Sequence, residues 1–114
     1  MSEPTTSDTP VLDLLAGMTA DSIDASSLDA QSIALVRLAA LVASGAPAAS
    51  YALNLAAAGE VGLDARDVRG VLAAVAPIVG TPRVVAATGR IVLALGIAIE
   101  VASVEPDAEL DAGE

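Results

Sequence analysis

The chain has 114 residues, of which 54% are hydrophobic, with no cysteine, no histidine and a single aromatic residue, Tyr51. Without these residue types it has no thiol nucleophile, no Ser-His-Asp triad and no zinc site of the usual ligands. The formal net charge is −10, and with neither a basic face nor a set of aromatics the chain is not expected to bind nucleic acid.

The two ends of the chain are predicted to be acidic tails that flank one helical body. Residues 1–9 are rich in Ser, Thr, Glu and Pro, and residues 105–114 contain five acids and no base. Segments of this composition cannot bury enough apolar surface to fold. We therefore expect disordered tails over 1–9 and 105–114, and a single all-helical domain over 10–104.

The first predicted helix is short. Thr9-Pro10 has the form of a cap followed by proline at the first helical position, and Gly17 is expected to end the helix. The segment after Gly17 alternates polar and small residues, and Ile23 and Leu28 are expected to anchor it in the core.

A longer helix follows and should be buried on several sides. Its cap is either Ser26 or Asp29, and it runs to Gly45 with apolar residues around most of its circumference. Pro47 opens the next helix, which should end at Gly59 or Gly62.

Two more helices complete the all-α prediction of about four to five helices. Asp64 and Asp67 resemble a capping box at the start of one, with Pro77 and Gly80 at its end. Thr81-Pro82 begins the last helix, which should reach about Val104. Valine and isoleucine recur at helical spacing rather than alternately, so no strand is predicted.

The apolar surplus predicts a homo-oligomer. Mean hydropathy is +0.68, more than one small domain can bury alone, so neighbouring subunits or a membrane must cover the rest. A membrane is the weaker choice because the longest uncharged run, 38–59, is interrupted by Gly45-Ala46-Pro47. No basic, apolar leader opens the sequence, so the expected location is the cytoplasm.

The order of these segments resembles the carboxymuconolactone decarboxylase family, which includes alkylhydroperoxidase-type proteins. The resemblance covers roughly residues 28–100. It rests on a helix ending in Ala-Ser-Gly and on three further segments: Pro47-x-x-Ser50-x-x-x-Asn54, Gly62-Leu63-Asp64-Ala65-Arg66-Asp67-Val68 and Ala76-Pro77-Ile78-Val79-Gly80-Thr81-Pro82-Arg83. The resemblance implies an alkylhydroperoxidase-like helical fold and homo-oligomers such as trimers or hexamers.

The resemblance also identifies what this chain lacks. The Cys-x-x-Cys pair of the peroxidase branch would fall at Pro47 and Ser50, and the histidine at Asn54. Serine cannot replace a thiolate in redox chemistry, so peroxidase activity is excluded. The decarboxylase branch resembles an acid/base enzyme that uses the histidine, whereas Asn54 does not titrate near neutral pH. General acid/base catalysis would then depend on Asp, Glu or Tyr51.

Five residues form the candidate pocket. Ser50, Tyr51 and Asn54 lie within about one turn, where they either line a pocket or make structural hydrogen bonds in the bundle. Arg83 and Arg90 can share a face, where they either bind a carboxylate or form ion pairs between subunits, for which the available acids are Glu60, Asp64, Asp67 and Glu100.

Arg37 and Glu100 are isolated charges on apolar helices, and we expect them to pair with each other or across subunits. No metal site and no cofactor-binding motif is predicted, since the acids are scattered or lie in the tails.

Two functions remain open on sequence alone. The first is an oligomeric small-molecule-binding or structural protein without thiol peroxidase chemistry, which would hold a small organic acid. The alternative is a cofactor-free lyase or decarboxylase that acts on a small carboxylate or lactone through Asn54, Tyr51 and Arg83. The first requires these side chains to be packed or paired, and the second requires them to meet in one pocket.

Overall fold

The computed structural model describes residues 8–103, with side chains described through residue 96, and this part of the chain forms five helices and no strand. The helices are α1 (Pro10–Ala25), α2 (Ala30–Ser44), α3 (Ala48–Glu60), α4 (Ala65–Val79) and α5 (Thr81–Ser103). The all-α prediction is therefore confirmed over these residues. The predicted tails lie outside the described residues except for Asp8 and Thr9.

The start of α2 is fixed by Asp29. Its carboxylate accepts a hydrogen bond from the backbone N–H of Ser32 over 2.8 Å, as expected of a helix N-cap. That hydrogen bond lowers the pKa of Asp29, because it stabilises the charged form. Of the two predicted caps, Asp29 is therefore the one used. The helix ends at Gly45, which adopts a φ of 72°, where glycine avoids the strain of a side chain.

The capping box predicted for α4 is present. The Asp64 carboxylate accepts from the backbone N–H of Asp67 over 3.2 Å, and the Asp67 carboxylate accepts from the N–H of Asp64 over 2.9 Å. Pro77 was predicted to help end this helix and instead lies inside its last turn. The backbone N–H of Gly80 still donates to Ala76 over 3.0 Å, so helical bonding continues past the proline and the helix ends at Gly80, with a φ of 91°.

The core lies among α2, α3, α4 and α5. α3 packs on α5 and on α2, while α4 packs on α2 and on α5. The fully or nearly buried side chains are Leu38, Val42, Ala46, Tyr51, Val71, Ala87, Ile91 and Ala94. Three of these eight are alanines, which allow close approach of the helix backbones. The central aromatic ring is that of Tyr51, surrounded by aliphatic side chains.

α1 differs from its sequence-based prediction in both length and placement. It continues through Gly17 to Ala25, since one glycine inside a helix costs only about 1 kcal/mol relative to alanine and does not force an end. Every residue of α1 is exposed. Ile23 and Leu28, expected to be core anchors, are themselves about half exposed, so that expectation was wrong.

Arg37 donates hydrogen bonds to two residues of α1. Its Nη2 donates to Ser22 Oγ over 2.9 Å and to the Thr19 carbonyl over 3.3 Å. These bonds, rather than an ion pair, satisfy the isolated arginine within the described residues. Glu100, the other predicted partner, has a side chain outside them. Among the helices of residues 8–103, none combines the length and the hydropathy that a membrane span requires.

Candidate functional site

A cavity of about 380 Å³ lies between α2, α3, α4 and α5. This volume falls within the range of small-molecule sites in proteins. Its wall is mainly aliphatic, built from Leu35, Leu38, Leu55, Leu63, Val68, Leu72, Ile91, Val92 and Leu95 with alanines between them. The cavity is therefore suited to an apolar body.

The opening of the cavity lies between α4 and α5. Six of the cavity's lining residues are exposed to solvent, and four of these, on α4 and α5, define the cavity mouth: Arg69, Thr88, Val92 and Leu95. The opposite end is closed by buried Leu38 and Ala58. A ligand would thus enter past α5 and be enclosed by α2 and α3.

Asn54 is the polar group on the α3 wall. Its Nδ2 donates to the carbonyl oxygen of Ser50, one turn earlier, over 2.9 Å. A primary amide has a second N–H and an oxygen acceptor besides. Asn54 can therefore offer hydrogen bonds to a ligand without losing its helix contact, but it cannot serve as an acid or a base near neutral pH.

Most other polar groups of the cavity are committed to the helices that carry them. Asp64 and Asp67 form the capping box of α4 described above. Thr88 Oγ1 donates to the Val84 carbonyl over 2.9 Å, a common bond within a helix. These side chains are thus held in place by backbone groups and are not poised against one another for proton transfer.

Arg69 is the exception at the cavity mouth. Its guanidinium makes no hydrogen bond and no ion pair with any residue that the structure describes, and its side chain is exposed. A guanidinium presents several donors in a planar fork that matches a carboxylate. The cavity therefore combines an aliphatic interior with an available cation at its entrance.

A second, smaller cavity of about 120 Å³ adjoins the first. It lies beneath the end of α1, where Ile23 and Arg37 contribute to its wall. Ala34 and Asn54 line both cavities. Asn54, at the position where the family pattern has histidine, thus borders both cavities.

Of the five candidate pocket residues, Asn54 alone lines the main cavity. Ser50 contacts Asn54 only through its backbone carbonyl. Tyr51 is fully buried in the core, and its hydroxyl has no hydrogen-bond partner among the described residues. Burial raises the pKa of Tyr51 above its ordinary 10.0, and the charge of Arg90 partly opposes this effect.

The two arginines of α5 lie away from the main cavity. Arg83 Nη1 donates to the carbonyl oxygen of Ala43 at the end of α2 over 2.8 Å. Arg90 is half-buried near Tyr51. Arg83, Arg90 and Asn54 therefore do not converge on one point in a single chain.

The sequence reasoning missed Arg69 as a site residue. The signal available was its place next to Val68 and three residues before Leu72, two members of the apolar stripe of α4. A cation bordering such a stripe marks the edge of an apolar surface. Within residues 8–103, no group of three or more acids is placed to hold a metal ion.

Of three comparisons with known proteins, the one against family models found a match. No curated protein and no solved structure matched the chain. The family model of the carboxymuconolactone decarboxylase family matches residues 10–91, a range that includes the α3 and α4 segments and most of the cavity. Cysteine is absent from the whole chain. The protein thus belongs to the carboxymuconolactone decarboxylase family and lacks the Cys-x-x-Cys pair.

Proposed function

We propose that this protein is an oligomeric small-molecule-binding member of its family, without thiol peroxidase chemistry, whose ligand is a small organic acid with an apolar body. The observation that carries the proposal is the aliphatic cavity with the unpartnered Arg69 at its mouth. The apolar part of the ligand would lie among Leu35, Leu72 and Ile91. The carboxylate of the ligand would form an ion pair with the guanidinium of Arg69.

Binding specificity in such a site comes from few polar groups. Aliphatic walls favour any apolar body of suitable size and discriminate weakly between shapes that differ by one methylene. Arg69 would select for a carboxylate, and Asn54 would offer donors and an acceptor deeper in the cavity. The expected ligand therefore has an acidic end and, at most, one further polar group.

The geometry favours binding over the cofactor-free lyase or decarboxylase. That alternative needs Asn54, Tyr51 and Arg83 around one substrate, yet Tyr51 is buried in the core and Arg83 is bonded to Ala43. The acids that border the cavity, Asp64 and Asp67, accept hydrogen bonds from backbone N–H groups. Among the side chains that the structure describes, the carboxylates that line the cavity are thus held by the capping box of α4, which does not favour a role as catalytic base.

An oligomer is part of the proposal. Among residues whose side chains are described, fourteen large hydrophobic residues are exposed, and a further subunit is the simplest cover for them. Trimers or hexamers are the expected assemblies. The proposed location is the cytoplasm, with which the cysteine-free composition is compatible.

The test is calorimetric titration with octanoate and with octanol, which share an apolar chain and differ in the carboxylate. We expect octanoate to bind more tightly, because only it can pair with Arg69. Arg69→Gln should reduce octanoate binding several-fold and leave octanol binding nearly unchanged. If the two ligands bind equally, or if Arg69→Gln has no effect on octanoate, the proposed recognition of an acid is wrong.

A cavity-filling pair of variants localises the binding. Ala34→Leu places added methyl groups into a position that borders both cavities, whereas Ala40→Leu adds the same bulk to an exposed position of the same helix. We expect the first variant to abolish binding of both ligands and the second to leave it intact. Equal effects would place the ligand elsewhere.

A further inference from the structure

Arg37 carries a positive charge that no acid balances among the side chains that the structure describes. Its Nη2 donates to Ser22 Oγ over 2.9 Å and to the carbonyl oxygen of Thr19 over 3.3 Å, and both acceptors are neutral. Asp21 and Asp24 lie on the same helix as these acceptors, yet neither carboxylate forms an ion pair with Arg37. Its Nε and Nη1 make no hydrogen bond within the described residues, so they are available to an anion.

This charge borders the smaller cavity, which has a mainly aliphatic wall. Arg37 is half-buried, and the residues that line the cavity beside it are Asn54 and a set of aliphatic side chains, namely Ile23, Ala30, Ile33, Ala34, Ala57 and Val61. None of the described residues that line this cavity is acidic. A charge next to an apolar wall is less well hydrated than one on a free surface, so it gains more from a counter-ion.

The size of the smaller cavity limits what it can hold. Its volume of about 120 Å³ equals that of roughly four water molecules in the liquid, whereas the main cavity has about 380 Å³. A carboxylate with a short alkyl chain fits such a space, and the chain of octanoate does not. The aliphatic wall suits the short chain, Arg37 suits the carboxylate, and the amide of Asn54 can donate a further hydrogen bond.

We propose that the smaller cavity is a second binding site, for a short-chain carboxylate such as butyrate, whose carboxylate pairs with Arg37. The site is distinct from the main cavity with Arg69 at its mouth, and it does not depend on the ligand proposed there. Binding leaves α1 in place, because Nη2 keeps its two hydrogen bonds while Nε or Nη1 donates to the ligand.

Nuclear magnetic resonance of the full-length protein tests the pairing directly. The chain has five arginines, and the Nε–Hε signal of Arg37 is the one that disappears in Arg37→Gln. We expect butyrate to move this signal, and 1-butanol, which has a chain of the same length and no charge, to leave it nearly unchanged. By calorimetry, Arg37→Gln should weaken butyrate binding several-fold, and Arg37→Lys should retain part of it.

Ser22→Ala separates anion binding from the attachment of α1. This variant removes the hydroxyl that accepts from Arg37 and leaves the guanidinium in the wall of the cavity. We expect its affinity for butyrate to be nearly unchanged. If Ser22→Ala lowers butyrate binding as much as Arg37→Gln does, Arg37 acts by holding α1, and the inference is wrong.

Two neighbouring alanines of α3 locate the ligand. Ala57 lines the smaller cavity and not the main one, whereas Ala56 is exposed and lines neither. Ala57→Leu should abolish butyrate binding and leave octanoate binding intact, and Ala56→Leu should leave both intact. Circular dichroism verifies that both variants keep their helices. Equal loss of butyrate binding in the two variants would place butyrate outside the smaller cavity.

Other results would also refute the inference. Loss of butyrate binding in Arg69→Gln but not in Arg37→Gln would place butyrate in the main cavity, in agreement with the proposed function. An equal response to butanol would show an apolar space without recognition of an anion. The Glu100 side chain lies outside the described residues and was predicted to pair with Arg37. Butyrate binding to Glu100→Gln but not to the original protein would show that this pair forms and that the site takes no ligand.

The two cavities are tested independently of each other. Octanoate binding that fails while butyrate still moves the Arg37 signal would refute the proposed function and support the second site. Octanoate binding that persists without any response of Arg37 to butyrate would refute the second site alone.

Discussion

Arg83 and Ala43 are joined by a hydrogen bond of 2.8 Å from the arginine Nη1 to the alanine carbonyl oxygen, which connects the first turn of α5 to the last turn of α2. The last carbonyl groups of a helix have no partner within that helix and carry partial negative charge. The Arg83 guanidinium donates a hydrogen bond to one of these carbonyl groups, and its positive charge is attracted to their partial negative charge. Arg83, which the sequence had indicated as a candidate ligand-binding residue, thus connects α5 to α2 through this hydrogen bond.

We predict that Arg83→Met lowers the free energy of unfolding by about 1 kcal/mol, since a charge-assisted bond is lost at an exposed position. Arg83→Lys should retain part of the stability, because lysine keeps the charge but not the planar fork. Urea denaturation followed by circular dichroism measures both. Octanoate binding should be unchanged in either variant.

Arg66→Met is the control for Arg83→Met and its lost hydrogen bond to Ala43. Arg66 is also exposed, and its side chain makes no hydrogen bond within the described part of the chain. Its substitution should change the free energy of unfolding by less than about 0.5 kcal/mol. Equal losses from Arg83→Met and Arg66→Met would show that the bond to Ala43 contributes nothing specific.

Substitutions of Asp64 in the capping box of α4 distinguish a role in helix stability from a role in ligand binding. Asp64→Ala should cost about 1 kcal/mol of unfolding free energy, whereas Asp64→Asn should cost little, since asparagine also accepts a hydrogen bond at an N-cap. Thermal unfolding measures the difference. Octanoate titration of Asp64→Asn should match that of the original protein. A large loss of binding would instead place the carboxylate itself in contact with the ligand.

Local signals predicted most helix boundaries correctly. The cap at Asp29, which was one of two alternatives with Ser26, the box at Asp64 and Asp67, and the start at Thr81 each depend on residues that lie within one turn of each other. α1 was predicted too short because Gly17 is a weak terminator. A penalty of about 1 kcal/mol does not end a helix whose flanking residues favour it.

The candidate site was predicted less well. Asn54 was identified because the family pattern marks its position, and it does line the cavity. Arg69 was not, because the mouth exists only where α4 and α5 approach each other, a relationship that no local pattern encodes. The uses of Arg83 and Arg37 were also unpredictable, since each bonds a group 15 to 40 residues away.

Tyr51 provides a test of the core. Its buried hydroxyl has no partner among the described residues, and an unsatisfied buried hydroxyl is destabilising. We predict that Tyr51→Phe leaves the free energy of unfolding unchanged or raises it by up to about 1 kcal/mol. Tyr51→Ala should cost about 3–5 kcal/mol through the cavity it creates. Chemical denaturation measures both. A loss above about 1 kcal/mol in Tyr51→Phe would contradict this prediction, because it would mean that the hydroxyl makes a stabilising hydrogen bond.

The same residue predicts how stability depends on alkaline pH. Burial raises the pKa of Tyr51 in the folded protein above 10.0, while in the unfolded chain it stays near the ordinary value. The folded state thus favours the neutral form of the Tyr51 side chain, and ionisation of this group lowers the free energy of unfolding. This contribution is fully present below the unfolded pKa and is lost as pH rises through the folded pKa.

We therefore expect the urea midpoint to fall above the ordinary tyrosine pKa, and to fall less steeply in Tyr51→Phe, which cannot ionise. Because Tyr51 is the sole tyrosine in the chain, phenolate absorbance follows this one group. In the folded protein it should appear at higher pH than in urea. Ionisation at or below the ordinary pKa while the helices persist would mean that the charge of Arg90 outweighs burial, and the predicted alkaline loss of stability would then be absent.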